Sequence, residues 1–416
     1  MLHAPKNPVV SSRRKLLTIF GTRPEFIKLA PVIRQLEIHR RAFQTLNIAS
    51  GQHTSLLHPL FDIFDVRVDC DLQVMEPDQT PNQVCSRVLS ALDSILIKEK
   101  PSFILVQGDT TTAMAGALAG FNQGIPVGHV EAGLRTGNPY SPYPEEMNRR
   151  LISRLATYHF AATPGNRETL LAEGIARENI FVTGNPVVDS VEAILARSGM
   201  SPTVQQLLET TEGTKRIVLT THRRESFGEV MAGNLRVLRR FVESHKDVSL
   251  VFPVHPNPSV VGPAQRILSG HPRIHLIQPL NYQDFIVLLS QVWLIVSDSG
   301  GIQEEVPTLG KPLLILRENT GRPEVVESGI ARLVGRAPES LAVMLEESHR
   351  DRDWADEVRS IKNPFGAGDS GKRIAQIIKK LLAARTNAPS TKPARKVHLS
   401  KAVMRPGLAE LCDISS

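Results

Sequence analysis

Short apolar runs of strand length alternate with longer helical patterns along this chain, and the alternation occurs twice. "KLLTIF" leads into "PEFIKLAPVIRQLEIHRR", "FILVQ" into "TTTAMAGALAGFNQG", and "IPVGHV" follows at once. Strand, loop, helix and strand in that order describe a parallel sheet, because a parallel neighbour is reached only through a crossover. A second series, "RIVLTT", "SLVFPV", "IHLIQ", "WLIVSDS" and "PLLILR", begins after "FVTGNPVVDSV". The fold class is therefore α/β, and 416 residues are too many for one ordinary core. Two domains are expected, residues 15–184 and 185–365, joined where Gly184, Asn185 and Pro186 suit a hinge. "GKRIAQIIKKLLAA" adds one amphipathic helix at about 366–385. The Pro, Ser, Lys and Arg-rich residues 386–416 are expected to be disordered, and residues 1–14 to form a flexible basic end.

Composition narrows the function classes. The net charge is +7, but Lys6, Arg13, Arg14 and Lys15 supply +4 of it and the tail from Lys392 to Asp413 supplies +3. The body between is close to neutral, which argues against a nucleic-acid face. A hydrophobic content of 41% and charged content of 22% are those of a soluble globular chain, and no apolar run is long enough for a bilayer span or a signal peptide. Cys70, Cys85 and Cys412 are scattered without metal-type spacing, so a cytoplasmic setting without a disulfide or metal is expected. "GAGDSGKR" satisfies GxGxxG and most of a phosphate loop, yet it follows "KNPF" rather than a strand and has Arg373 where a magnesium-binding hydroxyl belongs. It reads as a turn into the last helix.

Ligands of parallel sheets sit beyond the carboxyl ends of strands, so the loops there hold the candidates. "IFGTRPEFIK" puts Pro24 at the first position of a helix, with Arg23 and Lys28 beside an N-terminus that attracts anions. "WLIVSDSGGIQEE" repeats the logic: Ser299 as a cap, Gly300 and Gly301 for close approach of a ligand to the backbone, then Glu304 and Glu305. Glu305 suits a ribose diol; for Glu304 a role in complementing the helix dipole is equally well supported. "LRENTGRPE" adds Arg317 and Arg322, and cations from both halves would grip a diphosphate, as in a nucleotide diphosphate sugar. Acid and base groups would come from Asp109 in "QGDTTTA", Glu131 in "HVEAG", Glu145 in "PYPEEMNRR" and His222 in "THRRESFG", since carboxylates sharing a cleft drive their proton affinities apart. In the same charged loop, Arg135, Glu146, Arg149 and Arg150 are expected to brace by pairing.

Taken together, "GTRPEFIKLAPVI", "GDTTT", "GHVEAGLRTGN", "SPYPEEMNRR", "THRRESFG", "VHPNP", "SDSGGIQEE" and "RPE", in that order over about residues 15–380, resemble the non-hydrolysing UDP-N-acetylglucosamine 2-epimerases. The resemblance implies two Rossmann-like domains in the glycosyltransferase B arrangement, an active site in the interdomain cleft, and a C-terminal helix returning to the first domain. It implies no cofactor and no metal. It further implies anti elimination of UDP to a 2-acetamidoglucal and syn re-addition after protonation on the other face. Asp109, Glu131 and Glu145 would serve the acid and base steps in an order left open, and His222 would assist near the diphosphate. Arg23, Lys28, Ser299, Gly300, Gly301, Glu305 and Arg322 would bind UDP, with Phe285 by the uracil. Gln52, Glu145, Arg223 and His255 match a second pocket in which many bacterial members bind their own substrate as an activator. Here the chain departs from some relatives, with Asp78 in place of an Arg and Ser55 in place of a Gln. A homodimer is also implied. Rival readings are a 2-epimerase of UDP-2,3-diacetamido glucuronic acid, a glycosyltransferase of the same architecture, and a UDP-sugar sensor.

Overall fold

The computed structural model describes residues 13–387 apart from 52, 53, 77, 198, 224, 225 and 352. Gln52 and both outer tails, 1–12 and 388–416, therefore lie outside the described residues. Seven strands form the first sheet: β1 (Arg14–Phe20), β2 (Phe43–Ala49), β3 (Cys70–Asp71), β4 (Phe103–Gln107), β5 (Val127–Ala132), β6 (Tyr158–Ala161) and β7 (Ile180–Val182). Six form the second: β8 (Lys215–Thr220), β9 (Val248–Pro253), β10 (Ile274–Ile277), β11 (Leu294–Ser297), β12 (Leu313–Ile315) and β13 (Ala331–Leu333). Every pairing in both sheets is parallel.

The strand orders are β3-β2-β1-β4-β5-β6-β7 and β10-β9-β8-β11-β12-β13. Each sheet begins in its middle, runs to one edge, and then jumps back to the other side of its first strand. The reversal between β1 and β4, and again between β8 and β11, leaves a crevice where the two loops diverge. The loops beyond these four strands begin at Gly21, Gly108, Thr221 and Asp298, which are the segments carrying the candidate residues. Two Rossmann-like sheets with their switch points in register are the glycosyltransferase B arrangement expected above.

Packing explains why "TTTAMAGALAGF" is so rich in small residues. The helix Thr111–Asn122 lies close over β1 and β4, and a Cβ on Gly116 would stand 2.6 Å from Ile19 Cγ2 and 3.2 Å from Val106 Cγ1. Gly116→Val is accordingly expected to destabilise the protein by about 1–3 kcal/mol through overpacking, read as a lower midpoint in urea unfolding. The helix Val187–Leu195 follows Gly184, Asn185 and Pro186 and packs on the helix Arg23–Ile38 of the first sheet and the helix Gly300–Leu309 of the second. Ser190 Oγ donates to the carbonyl of Ile27 at 2.5 Å, tying that junction.

The chain then returns. The helix Ser370–Asn387 packs on the helix Arg23–Ile38. Its first amides, Ser370 N and Gly371 N, donate to the Asp189 carboxylate at 3.2 and 3.0 Å, so the protein supplies its own anion to this N-terminus. "GAGDSGKR" is a turn into this helix, as its lack of a preceding strand indicates. Among the described residues no helix is long and apolar enough to cross a membrane.

Candidate active site

After β1 the chain turns at Gly21 and Thr22 into the helix Arg23–Ile38. Glu25, three residues past the cap, reaches back: its Oε2 accepts from Gly21 N at 3.0 Å, Thr22 N at 2.7 Å and Thr22 Oγ1 at 2.8 Å. Its Oε1 accepts from Thr110 Oγ1 at 2.6 Å, which fastens the β1 loop to the β4 loop across the switch point. Burial pushes the Glu25 carboxyl up to about 7 against the pull of these bonds. The spacing Thr22-x-x-Glu25 is a capping box, a signal present in the sequence but not used above.

One turn further on, Lys28 is buried and points at carboxylates. Its Nζ donates to Glu131 Oε1 and Oε2, both at 2.8 Å, and lies 2.6 Å from Glu304 Oε2. Arg322 Nε donates to Glu304 Oε1 at 2.6 Å, and Arg322 Nη2 stands 3.9 Å from Glu131 Oε1. Gln107 Nε2 also donates to Glu131 Oε2. Glu304 Oε2 makes no hydrogen bond of good geometry, so its contact with Lys28 is ionic. Four charges from both sheets thus meet in one cluster.

Glu131 reaches this place at a backbone cost. The β5–β6 register shifts between Val130 and Ala132, and Glu131 adopts φ +64°, which costs a residue with a Cβ about 1–3 kcal/mol. Burial first, and the charge of Glu304 second, raise the Glu131 carboxyl to about 7. In Glu304 burial works the same way, but Arg322 and Lys28 outweigh it and hold the carboxyl below its ordinary value. Of the two, Glu131 therefore holds a proton more readily. Lys28 stays charged, because Glu131 and Glu304 together overcome its burial.

A second group of acids lies at the start of the helix Glu145–Leu155. Arg149 donates from Nε to Asp109 Oδ2 at 2.8 Å and from Nη1 to Glu146 Oε2 at 2.9 Å. Asn148 Nδ2 holds the carbonyl of Asp109 at 2.9 Å. Arg150 pairs with Glu146 at 3.1 Å, so Glu146, Arg149 and Arg150 brace this segment. Arg135 instead pairs with Glu173 at 2.8 Å, outside the loop. Half-buried Glu145 is raised by burial first and by the charge of Asp109 next, with Arg149 and Arg223 opposing.

The second sheet contributes His222 and the helix Gly300–Leu309. Asp298, fully buried past the end of β11, accepts from Thr221 Oγ1 at 2.8 Å, from His222 N at 3.1 Å and from Arg223 N at 3.1 Å. His222 Nδ1 is 3.3 Å from Asp298 Oδ1, while the side chain is 43% exposed, so the ring is oriented from behind and open in front. His255 stacks on it with centroids 5.9 Å apart, and burial first, then His222, lowers the His255 pKa.

The structure adds to three expectations here. Ser299 is the N-cap of the helix Gly300–Leu309, but its hydroxyl makes no capping bond. At Gly300 a Cβ would stand 2.8 Å from Arg322 Nη1, so the missing side chain also makes room for Arg322. Gly301, by contrast, faces open space, with Ser299 Oγ the nearest atom at 3.9 Å. Glu304 is the third: it sits at the centre of the charge cluster instead of merely complementing a helix dipole.

Glu305 faces the other way. Tyr282 Oη donates to Glu305 Oε1 at 2.9 Å, and burial raises the Glu305 carboxyl. The charge of Arg23, from the first sheet, acts on both Glu305 and Tyr282. Phe285, one turn past Tyr282, is partly buried and packs on the core. Asp109, Glu131, Glu145, Arg23 and Lys28 thus come from the switch-point side of one sheet, and His222, Arg223, His255, Glu305 and Arg322 from that of the other. Asp298, Tyr282 and Gln107 were missed by sequence reading, although Asp298, inside "SDSGG", and Gln107, inside "QGDTTTA", sit in segments that it singles out.

Residues 36–379 match the family model described as UDP-N-acetylglucosamine 2-epimerase. The chain is 43% identical over 370 residues to the UDP-N-acetylglucosamine 2-epimerase of Salmonella typhimurium, covering 88% of this chain and 98% of that protein. The crystal structure of the Neisseria meningitidis enzyme bound to UDP-GlcNAc superposes with a TM-score of 0.82 at 40% identity, covering 88% of this chain and all of that one (100%). A UDP co-structure of Staphylococcus aureus MnaA gives a TM-score of 0.83 at 37% identity over 91% of this chain and 99% of that one. With its sheets, its cleft loops and its matched length in agreement, the chain belongs to the UDP-N-acetylglucosamine 2-epimerase family.

Proposed function

We propose that this protein interconverts UDP-N-acetylglucosamine and UDP-N-acetylmannosamine by inverting carbon 2. The observation that carries the reading is the meeting of Glu131, Lys28, Glu304 and Arg322 between two switch points, with Asp109, Glu145 and His222 on the flanking loops. The proton on carbon 2 is not next to a carbonyl and is weakly acidic, so loss of the diphosphate must assist its removal. That requires cations on the leaving group and a proton acceptor at carbon 2. Arg23, Lys28 and Arg322 supply the cations, and Gly300 and Gly301 open the helix N-terminus beside them. Elimination of UDP leaves a 2-acetamidoglucal, and re-addition after protonation on the other face completes the change.

Two acids of raised proton affinity, Glu131 and Glu145, face this region, and each carries a proton in one direction of a reversible reaction. Asp109, fixed by Arg149, adjoins Glu145. His222, backed by Asp298, presents its open face to the leaving diphosphate. Glu305 keeps acceptor capacity beyond its bond to Tyr282 for a ribose diol, and Phe285, one turn past Tyr282, is the aromatic this reading assigns to the uracil. Glu145, Arg223 and His255 also suit a second sugar nucleotide acting as activator, and a homodimer is the assembly this family reading favours.

The test is incubation with UDP-N-acetylglucosamine alone and, in parallel, with UDP-2,3-diacetamido glucuronic acid, followed by NMR of the anomeric protons. The reading expects UDP-N-acetylmannosamine in the first tube without any acceptor. Conversion only in the second, or only on addition of an acceptor, contradicts it.

A further inference from the structure

Glu304 is left without a task by the reaction outlined above, yet it is among the most enclosed charges of the protein, 1% exposed. It takes Arg322 Nε at 2.6 Å on one oxygen and Lys28 Nζ at 2.6 Å on the other. The same Lys28 holds both oxygens of Glu131 at 2.8 Å, and the same Arg322 stands 3.9 Å from Glu131. Two carboxylates from opposite sheets therefore divide two cations between them. The cations favour the charged form of both acids, and the acid that has both cations at contact distance keeps its charge more readily. Glu304 has both cations at contact distance, whereas Glu131 has Lys28 and the neutral amide of Gln107.

Resting on the reading of this cleft as an epimerase site, we propose that Glu304 is a positioning residue acting from the opposite domain: it fixes Lys28 and Arg322 and confines the proton of the pair to Glu131. The groups facing the pair are Lys28 from the helix Arg23–Ile38, Gln107 from β4 and Arg322 ahead of the helix Pro323–Glu327. Glu305 and Tyr282 feel the charge of Glu304 from its far side, and Asp109 acts on Arg322. None of these supplies a second anion at contact distance from Glu131, so after burial itself the charge of Glu304 is what most favours its protonated form. The raised Glu131 and lowered Glu304 carboxyls agree with this division.

Glu304→Gln keeps the shape and removes the charge. Its effect is read first in ligand-free protein, by a carbon-13 NMR titration of the Glu131 carboxyl, assigned by its loss in Glu131→Gln. The Glu131 midpoint is expected to fall by about one pH unit, and kcat at neutral pH by about tenfold with partial recovery toward acid pH. Glu304→Asp, which restores the charge, is expected to bring the midpoint back toward wild type. An unchanged Glu131 midpoint and an unchanged kcat pH profile in folded Glu304→Gln would overturn the proposal. Because the titration needs no substrate, a wild-type protein that fails to epimerise would count against the proposed function and leave this test standing.

Discussion

Glu131→Gln is expected to lower kcat for epimerisation by about a thousandfold, the scale of a general acid or base, while UDP still binds. The glutamine amide occupies the same volume beside Lys28 and Gln107 but holds no transferable proton. Binding is spared because Glu131 is not among the groups proposed to hold UDP. The substitution also has a stability signature whose sign is fixed. The folded-state value of Glu131 is raised from 4.5 to about 7, so the folded chain retains a proton that the unfolded chain releases. The contribution of this group is full below its unfolded value and is lost as pH rises through about 7. Glu131→Gln removes that slope, so unfolding midpoints in urea at about pH 5 and about pH 8 should lie closer together than in wild type. Glu304, whose value is lowered, loses its contribution only as pH falls below the ordinary carboxyl range and does not interfere in that window. Near-wild-type turnover in Glu131→Gln would remove Glu131 from the chemistry.

Lys28→Met should be the most destabilising single change in the cleft, about 3–5 kcal/mol at neutral pH, because it removes the cation that two buried carboxyls share and leaves Arg322 alone to offset them. Lys28 is 7% exposed and lies within 2.8 Å of both Glu131 and Glu304. Without it the proton affinities of both carboxyls rise, so the cost shrinks as pH is lowered and the acids neutralise themselves. Urea unfolding at neutral and mildly acidic pH reads this directly. A loss of stability that is the same at both would mean that lost packing of the lysine stem, not charge, accounts for the effect. Epimerase activity is expected to fall with it at every pH, since the diphosphate loses a cation.

Much of this was legible because each candidate loop follows a strand that the apolar runs identify. "GTRPE", "GDTTT", "THRRE" and "SDSGG" announce the four switch-point loops, and the parallel order of strands brings them together. Pairing partners were less legible. Nothing local to "GGIQEE" says which of two successive glutamates turns inward, because a helix rotates neighbours by about 100° and the choice is made by Lys28 on another domain. Gly300 reads in the sequence as room for a ligand, and only the position of Arg322, distant in sequence, adds a second reason for the missing side chain. Asp298 was overlooked beside Ser299, although its backbone and side-chain partners make it the support of His222. The charged segment 128–150 divided as its spacing allowed, except that Arg135 found Glu173 on a neighbouring element.

The central claim is that this cleft breaks and remakes the bond between carbon 2 and its hydrogen. Incubation of the purified protein with UDP-N-acetylglucosamine in deuterated water, followed by NMR of carbon 2, tests it most directly. The account predicts deuterium at carbon 2 of the UDP-N-acetylmannosamine formed, with the same exchange lost in Glu131→Gln. Product that retains its original hydrogen at carbon 2, or no product in the absence of an acceptor, would contradict it.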